Sequence, residues 1–367
     1  MEIPVRWLEK MNGGQKSPIK ETSEFMNVLL TSVGRRNYLI DYFKEAVAPY
    51  GGKVYAVNSH ENAPALYVAD EFRLAPPIHS DDYIPFLLHF CIEKKIELIV
   101  PLLDNDLPVL AQAKRQFSEA GVYVLVADLN LAKLANDKFQ TSLFLKQEGF
   151  DTVGNYCDLD SFVQAKERGE IDFPVIIKPR WGMGSLSVYL AKNKEELNFY
   201  FKKAKEEVLN SFLKFESKQD PDKEILIMNK IEGEEYMLDV INDLDGNYQL
   251  TIVNKKLLRK AGETEAVETI RHEAVELLGQ KISAYFRHPL VMDIDVIVND
   301  NGIYIIEFNP RFSGGYPFSH AAGIHLPKVL VRWLKKERFD SVEFLTPRIG
   351  TRSMKGFVMI EARKFTD

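Results

Sequence analysis

The stretch that decides the fold is VMDIDVIV-NDNG-IYIIEFNPRFSGG, which runs from Val291 to Gly315. Two runs rich in β-branched and aromatic residues flank a polar break that contains a glycine, and this pattern predicts a β-hairpin. A three-residue loop from Asp300 to Gly302, with the glycine in the left-handed conformation, pairs Asn299 with Ile303.

This register brings polar side chains together. Asp295 falls opposite Glu307 and Asp293 falls opposite Asn309, and because successive strand residues point to opposite faces, all four share one face. The other face is expected to be the core face, with Ile294, Val296, Val298, Tyr304, Ile306 and Phe308.

The cluster of carboxylates needs an explanation, because like charges opposite each other destabilise a sheet. A hard divalent cation such as Mg²⁺, which favours carboxylates and phosphate oxygens, provides one. A solvated acidic face of an antiparallel sheet is the competing interpretation. The residues that follow favour a site: Arg311 offers a planar fork for phosphate or carboxylate, and the small residues Ser313, Gly314 and Gly315 let the backbone approach a ligand.

Composition limits the function classes. The chain has 367 residues, 46% hydrophobic and 27% charged, which allows two or three domains of a globular protein. A net charge of -6 and a pI of about 5.8 argue against nucleic-acid binding. Only Cys91 and Cys157 are present, which favours a reducing compartment, and we therefore expect a cytoplasmic protein. No apolar run approaches transmembrane length. Residues 1–25 are predicted to be a leader of uncertain order, with a short amphipathic helix over IPVRWLEKM. They lack the long apolar region of a signal peptide.

The region from Met26 to Asp128 alternates strands with helices, which predicts a parallel, doubly wound, Rossmann-like sheet. The expected strands cover residues 27–32, 53–58, 96–103 and 122–127. Ligands of such sheets bind at the carboxyl ends of strands, here at residues 34–36 and 104–106. Asp104 and Asp106 are candidates to hold a substrate ammonium, or they cap the next helix. No G-x-G-x-x-G is present, so a dinucleotide site is not expected.

The middle of the chain changes character. Residues 131–149 predict one amphipathic helix with Lys138 near its middle, and the strand at 173–178 ends at Lys178 before the small-residue loop PRWGMGS. The Lys178 ammonium and the backbone amides of this loop could together bind the oxygens of a phosphate. An ordinary hairpin turn is the alternative interpretation of the same residues. Further strands at 187–190, 224–228, 235–240 and 250–257, helices at 195–215 and 265–285, and a strand-like tail at 356–360 predict an α+β region.

The order of these features resembles the ATP-grasp superfamily. It comprises Lys138, Lys178, the small-residue loop, IEGEEY, the acidic hairpin and EFNPRFSGG, of which E-x-N-P-R is the most specific. From Met26 to about Leu334 the chain looks like the single-chain proteins similar to the large subunit of carbamoyl phosphate synthase. The resemblance implies a pre-ATP-grasp domain at 26–128, an ATP-grasp domain at 129–335 with two subdomains (one lid-like, about 150–228) and a tail at 336–367.

The resemblance also implies site residues. Lys138, Lys178 and Arg311 would be the catalytic cations, and Asp295, Glu307 and Asn309 would hold Mg²⁺ or Mn²⁺. The implied ATP-binding set is Lys138, Lys178, Gly182, Gly184, Ser185, Asn229, Lys230, Ile231, Glu235 and Lys256. The expected substrate set is Asp104, Asp106, Arg311, Ser313, Gly314 and Gly315. Asn229 stands where many relatives have glutamate, and Asp295 stands where Gln or Glu is commoner.

The implied activity is an ADP-forming carboxylate–amine ligase. ATP would convert a small-molecule or amino-acid carboxylate to an acyl phosphate, and an amine would displace the phosphate. A carboxylate kinase and a non-catalytic ATP sensor are the alternatives. We expect small-molecule partners, with no nucleic acid and no membrane, and a homodimer is the assembly to test first.

Overall fold

The computed structural model describes residues 25–182, 186–260 and 262–362. The helix expected over IPVRWLEKM, and the predicted ATP-binding residues Gly184 and Ser185, lie outside these ranges. Within the described residues, no helix is both long enough and apolar enough to cross a bilayer.

The first sheet is parallel, with the strand order β3-β2-β1-β4-β5. Its strands are β1 (Asn27–Thr31), β2 (Val54–Asn58), β3 (Glu71–Leu74), β4 (Ile96–Pro101) and β5 (Tyr123–Val124). The helices of this region are α1 (Asn37–Val47), α2 (Tyr83–Lys94) and α3 (Asp106–Glu119). The Rossmann-like prediction is confirmed, although β3 was not expected and β5 is shorter than predicted. The chain reverses its progress across the sheet between β1 and β4, so a ligand crevice is expected at their carboxyl ends.

Two helices connect this sheet to the next, α4 (Leu129–Asn136) and α5 (Lys138–Gln147). The prediction of one helix over residues 131–149 is wrong, because the chain is extended at Asp137. The Asp137 side chain accepts hydrogen bonds from the amides of Phe139 and Gln140 and thereby caps α5. Lys138 is therefore the first residue of a helix.

The second sheet is antiparallel, with the order β6-β9-β7-β8. Its strands are β6 (Asn155–Tyr156), β7 (Val175–Pro179), β8 (Tyr189–Ala191) and β9 (Ile225–Asn229), and its helices are α6 (Leu159–Glu167), α7 (Lys194–Leu209) and α8 (Lys214–Ser217). These elements fall in the range predicted to be lid-like.

The third sheet is antiparallel and has the order β14-β13-β10-β11-β12-β15. Its strands are β10 (Glu234–Asn242), β11 (Tyr248–Lys260), β12 (Glu263–Ile270), β13 (Val291–Asn299), β14 (Gly302–Asn309) and β15 (Arg352–Met354). The helix α9 (Glu273–Phe286) begins eight residues later than predicted, because residues 263–270 pair with β11 instead. The strand-like stretch at 356–360 is not a strand; the tail contributes β15 at 352–354.

The carboxyl-terminal helices pack back onto the first domain. They are α10 (Tyr316–Ala321), α11 (Leu326–Leu334) and α12 (Val342–Leu345). One hydrophobic cluster contains Phe43 of α1 together with Phe312 and Leu330. The domain bounds at residues 128 and 335 stay a prediction, and the core packing crosses both of them.

Candidate functional site

The acidic hairpin keeps its predicted register where the polar side chains lie. Asp293 pairs with Asn309, and Asp295 pairs with Glu307. Towards the loop the prediction is wrong by one residue, since Asn299 pairs with Gly302 and the loop is a two-residue turn.

A β-bulge explains both results. The register shifts between Asp295 and Val296, which leaves Ile306 as the extra residue on β14. The core face of β14 therefore consists of Ile303, Ile305 and Phe308. Placing Tyr304 and Ile306 on that face was wrong, because the bulge reverses the alternation beyond Glu307.

Two rows of side chains cross the site face of the third sheet. The first row is Asn309, Asp293 and Asp239. The second row starts with Glu307 and Asp295, and continues through Met237 and Asn254. The candidate metal ligands Asp295, Glu307 and Asn309 thus lie on adjoining positions of two neighbouring strands.

Lysines from three elements surround the second row. Lys138 Nζ lies 3.4 Å from Glu307 Oε2 and also donates a hydrogen bond to the carbonyl of Gly182. Lys256 Nζ of β11 lies 2.7 Å from Asp295 Oδ1. Burial by itself raises the pKa of Glu307, but the surrounding cations, led by Lys138 and including Lys178, outweigh burial and lower it to about 2. Glu307 is therefore ionised at neutral pH.

Lys178 is the most enclosed of these cations, with 7% of the residue exposed at the end of β7. Burial lowers its pKa to about 8, and the nearby Lys138 lowers it too, whereas the carboxylates of Glu307 and Asp295 raise it. A buried ammonium with this pKa changes protonation close to physiological pH.

Arg180 holds the lysines in place, and sequence reasoning did not assign it a role. Its guanidinium binds Asp137 through two hydrogen bonds of 2.8 Å and Asp220 through one of 2.6 Å. Because Asp137 caps the helix that Lys138 starts, this bidentate pair fixes Lys138 relative to β7. The sequence feature that could have indicated a role for Arg180 is its position two residues after Lys178, in the run Lys178-Pro179-Arg180.

Arg311 reaches the crevice between β1 and β4. Its guanidinium makes two hydrogen bonds of 2.6 Å with Asp104. Arg36 comes from the turn after β1; burial and the charge of Arg311 lower its pKa, and its Nε is buried without a hydrogen-bond partner in the described residues. The guanidiniums of Arg36 and Arg311 therefore lie near each other and near Asp104.

Asp106 has a different role from Asp104. It is fully buried, and its carboxylate accepts hydrogen bonds from Thr31 Oγ1 (2.7 Å) and Tyr83 OH (3.1 Å). Burial raises its pKa to about 6. Asp106 thus ties α3 to β1 and α2, and the structure places it beneath the crevice rather than in it.

Two of the residues expected to bind ATP, Glu235 and Lys256, line a cavity at the start of β10. The cavity has a volume of about 340 Å³. Glu235 is paired with Arg259 Nη1 at 2.8 Å. Asn229 at the end of β9 donates to the carbonyl of Glu170, and its Oδ1 is buried without a partner in the described residues.

The linker that follows is more open. Lys230 is exposed and pairs with Glu232, and Ile231 is half-buried. This linker leads from the end of β9 to Gly233, which lines the cavity.

The glycines after Arg311 differ from each other. A Cβ on Gly315 would lie 1.9 Å from Met237 Sδ, so this glycine serves close packing. A Cβ on Gly314 would meet nothing within 4 Å. Ser313 is buried, and its Oγ accepts a hydrogen bond of 3.1 Å from the Gly315 amide. Gly314 is the member of this group that faces open space.

The donor set fits Mg²⁺. In the described ranges no cluster of three or more His, Cys, Asp or Glu side chains could hold a metal. The candidate ligands Asp295, Glu307 and Asn309 are two carboxylates and one amide. Mg²⁺ uses one or two carboxylates and takes its other ligands from phosphates and water. The Asn309 amide nitrogen points to Asp293 Oδ2 at 3.4 Å, which leaves the amide oxygen available as a ligand.

Two protein-family models match the chain. Residues 28–125 match the model described as "PylC-like, N-terminal domain", and residues 171–318 match the model described as "ATP-grasp domain". The resemblance to the ATP-grasp superfamily is confirmed, and the chain carries an ATP-grasp domain behind a PylC-like N-terminal domain.

Several solved structures are similar over most of the chain. An L-amino acid ligase from Bacillus licheniformis is 17% identical with a TM-score of 0.67, and the match covers 92% of this chain and 82% of that one. The biotin carboxylase domain of 2-oxoglutarate carboxylase from Hydrogenobacter thermophilus, solved as a dimer with MgADP, ADP and bicarbonate, is 19% identical with a TM-score of 0.66, covering 87% and 71%. The N5-carboxyaminoimidazole synthetase from Staphylococcus aureus with ADP is 15% identical with a TM-score of 0.64, covering 87% and 80%. At these identities the likeness establishes the fold.

Proposed function

We propose that this ATP-grasp protein is an ADP-forming ligase that joins a small-molecule carboxylate to an amine through an acyl phosphate. The observation that carries the proposal is the meeting of Lys138 and Lys178 with the Asp295–Glu307 pair on one face of the third sheet. Phosphoryl transfer depends on charge neutralisation and positioning more than on a protein nucleophile. This site offers cations and a metal-ligand set in contact.

In this proposal Lys138 and Lys178 bind the phosphates of ATP, and the backbone of Gly182 lies next to them. Asp295, Glu307 and Asn309 would hold the Mg²⁺ or Mn²⁺, which supplies charge neutralisation to the transferring phosphoryl group. Gly184 and Ser185 stay in the proposed phosphate loop as a prediction from the sequence.

The nucleoside is assigned to the neighbouring cavity. The backbone of Asn229, Lys230 and Ile231 would bind the adenine, and Glu235 would accept hydrogen bonds from the ribose hydroxyls. Lys256, which reaches from β11 to both Asp295 and Glu235, would contact the phosphates.

The carboxylate substrate is assigned to the crevice between β1 and β4. Arg311 and Arg36 would bind it, with Asp104 keeping the Arg311 guanidinium in a fixed plane. Ser313 and Gly314 would border the substrate. A carboxylate oxygen attacks the γ-phosphorus and ADP leaves; the amine nitrogen then attacks the carbonyl carbon, phosphate leaves, and the nitrogen loses one proton.

An assay of phosphate release tests the proposal. The protein is incubated with ATP and Mg²⁺ and with pairs of amino acids first, since one structural neighbour is an L-amino acid ligase. Phosphate release that requires both an acid and an amine supports ligation. Release with one acid alone indicates a carboxylate kinase, and ATP binding without release from any pair indicates a sensor. We place the activity in the cytoplasm and, as the first assembly to measure, in a homodimer.

A further inference from the structure

The first row of the site face contains a pair of carboxylates that the metal set does not use. Asp239 of β10 and Asp293 of β13 are direct partners in the antiparallel ladder, so their side chains lie side by side on the face that carries Glu307. Asp239 is 0% exposed and Asp293 is 7% exposed. Each has one oxygen, Oδ1, that is buried and has no hydrogen-bond partner in the described residues.

A hydrogen-bond chain fixes the opposite oxygen of Asp239. Thr269 Oγ1 donates to Asn254 Oδ1 (2.7 Å), Asn254 Nδ2 donates to Ser319 Oγ (2.9 Å), and Ser319 Oγ donates to Asp239 Oδ2 (2.5 Å). Because the Ser319 hydroxyl receives one hydrogen bond and gives the other, Asp239 Oδ2 is an acceptor. Its Oδ1 has no hydrogen-bond partner among the described residues.

The nearby cations are already paired. Arg311 binds Asp104 with both arms of its guanidinium, and Lys256 binds Asp295. Among the described residues, no lysine, arginine or histidine forms a salt bridge with Asp239 or Asp293. Two buried carboxylates without a counter-charge are costly, and this cost falls when a cation binds between them.

The location selects the kind of cation. Asp293 accepts from the amide of Asn309, next to the position assigned to the transferring phosphate, and it also feels the charge of Arg311 in the carboxylate crevice. The acyl phosphate would therefore form close to this pair. Both free Oδ1 atoms are buried, so a divalent ion between them could not keep the water ligands that Mg²⁺ retains, whereas an ammonium donates up to three hydrogen bonds and matches two acceptors.

We propose that Asp239 and Asp293 form a subsite that binds the protonated nitrogen of the amine substrate beside the acyl phosphate. Before the attack the ammonium gives one proton to a free Oδ1 of the pair, which leaves the nitrogen lone pair for the acyl carbon, and the nitrogen loses a second proton as phosphate leaves. This inference rests on the proposed ligase function and narrows the second substrate to amines that are ammonium ions in solution. Asp293 has a second role in it, because its Oδ2 orients the Asn309 amide.

Two assays on the full chain separate the inference from the proposed function. The first measures hydroxamate formation from ATP, Mg²⁺, the acid and hydroxylamine, which is uncharged at neutral pH and has no need of a carboxylate pair. The second measures ligation with the ammonium-type amine. Asp239→Asn is compared with wild type and with Asp300→Asn. The control makes the same charge change at the exposed turn between β13 and β14.

For Asp239→Asn we expect the KM for the amine to rise about thirtyfold or more, as for the loss of one partner of a buried charge pair. Hydroxamate formation should stay within about twofold of wild type, because it bypasses the subsite. Asp293→Asn should also raise the KM for the amine and serves if the first variant does not fold. Because Asp293 also orients Asn309, its hydroxamate rate is expected to fall, and its readout is the KM for the amine alone. Asp300→Asn should match wild type in both assays.

Three results would overturn the inference: an unchanged KM for the amine in Asp239→Asn, an equal loss in both assays for Asp239→Asn, or a potassium-dependent hydroxamate rate that the variants lose. The last result would make the pair a metal-cation site. Absence of hydroxamate from wild type with every acid tested defeats the proposed function instead, so the two failures are distinguishable.

Discussion

Binding of MgATP above neutral pH should take up a proton at Lys178. Burial lowers the pKa of this lysine to about 8, whereas an ammonium in contact with phosphate oxygens is held in its charged form. The protonated form binds the phosphates, so affinity is full below the pKa and falls as the pH rises through it. At about pH 8.5, roughly three-quarters of the free protein carries neutral Lys178, against roughly a tenth at about pH 7.

The expected magnitudes follow from these fractions. MgATP binding should take up about 0.8 proton at about pH 8.5 and about 0.1 proton at about pH 7, and the dissociation constant should rise about fourfold between the two. Calorimetry in buffers with different ionisation enthalpies gives the proton number directly, and the same titrations give the affinity.

Two variants make this measurement specific. Lys178→Arg carries a guanidinium that stays protonated throughout this range, so its proton uptake should be close to zero while binding is retained. Lys192→Arg changes an exposed lysine just after β8 and should keep the uptake of wild type. Uptake near zero in wild type at about pH 8.5, or equal uptake in Lys178→Arg, would refute the assignment of Lys178 as a buried phosphate ligand.

Three further substitutions test other parts of the site. Glu307→Gln should lower ATP- and Mg²⁺-dependent turnover by about a hundredfold or more with an unchanged circular dichroism spectrum, because a carboxylate among cations becomes neutral. Asp300→Asn is its control, and full activity of the Gln variant would contradict the metal assignment. Arg311→Lys should raise the KM for the acid by about tenfold or more without changing the dissociation constant of ATP, because lysine cannot form the bidentate contact; an unchanged KM would exclude Arg311 from the substrate site. Arg180→Met should cost about 3–5 kcal/mol in urea unfolding by leaving Asp137 without its buried partner, and a loss below about 1 kcal/mol would mean that this clamp is dispensable.

Local patterns were enough to predict the parts of the site that depend on strand alternation. Asp293, Asp295, Glu307 and Asn309 lie as expected because the alternation of side chains holds from the bulge to the strand end. No glycine or turn-forming residue at Ile306 indicates the bulge in the sequence. The turn was therefore placed one residue too long.

Contacts between distant segments were not predictable in the same way. The pairing of Asp239 with Asp293 depends on which strands become neighbours in the third sheet, and β10 lies about fifty residues before β13 in the chain. The break at Asp137 was hidden because helical periodicity continues on both sides of it. Residues 263–270 alternate like a strand, but their pairing with β11 and with the tail decided their structure.

The ion pairs of this structure also suggest how the site can be stable before any nucleotide binds. Lys256 now neutralises Asp295, and Lys138 neutralises Glu307. When a metal ion and phosphates enter together, each carboxylate can exchange its lysine for the metal while each lysine exchanges its carboxylate for a phosphate oxygen, so that no charge loses a partner. Lys178 is the exception, since burial opposes its charge. Contact with a phosphate therefore stabilises the charged form most at Lys178, and the proton uptake expected there measures this stabilisation.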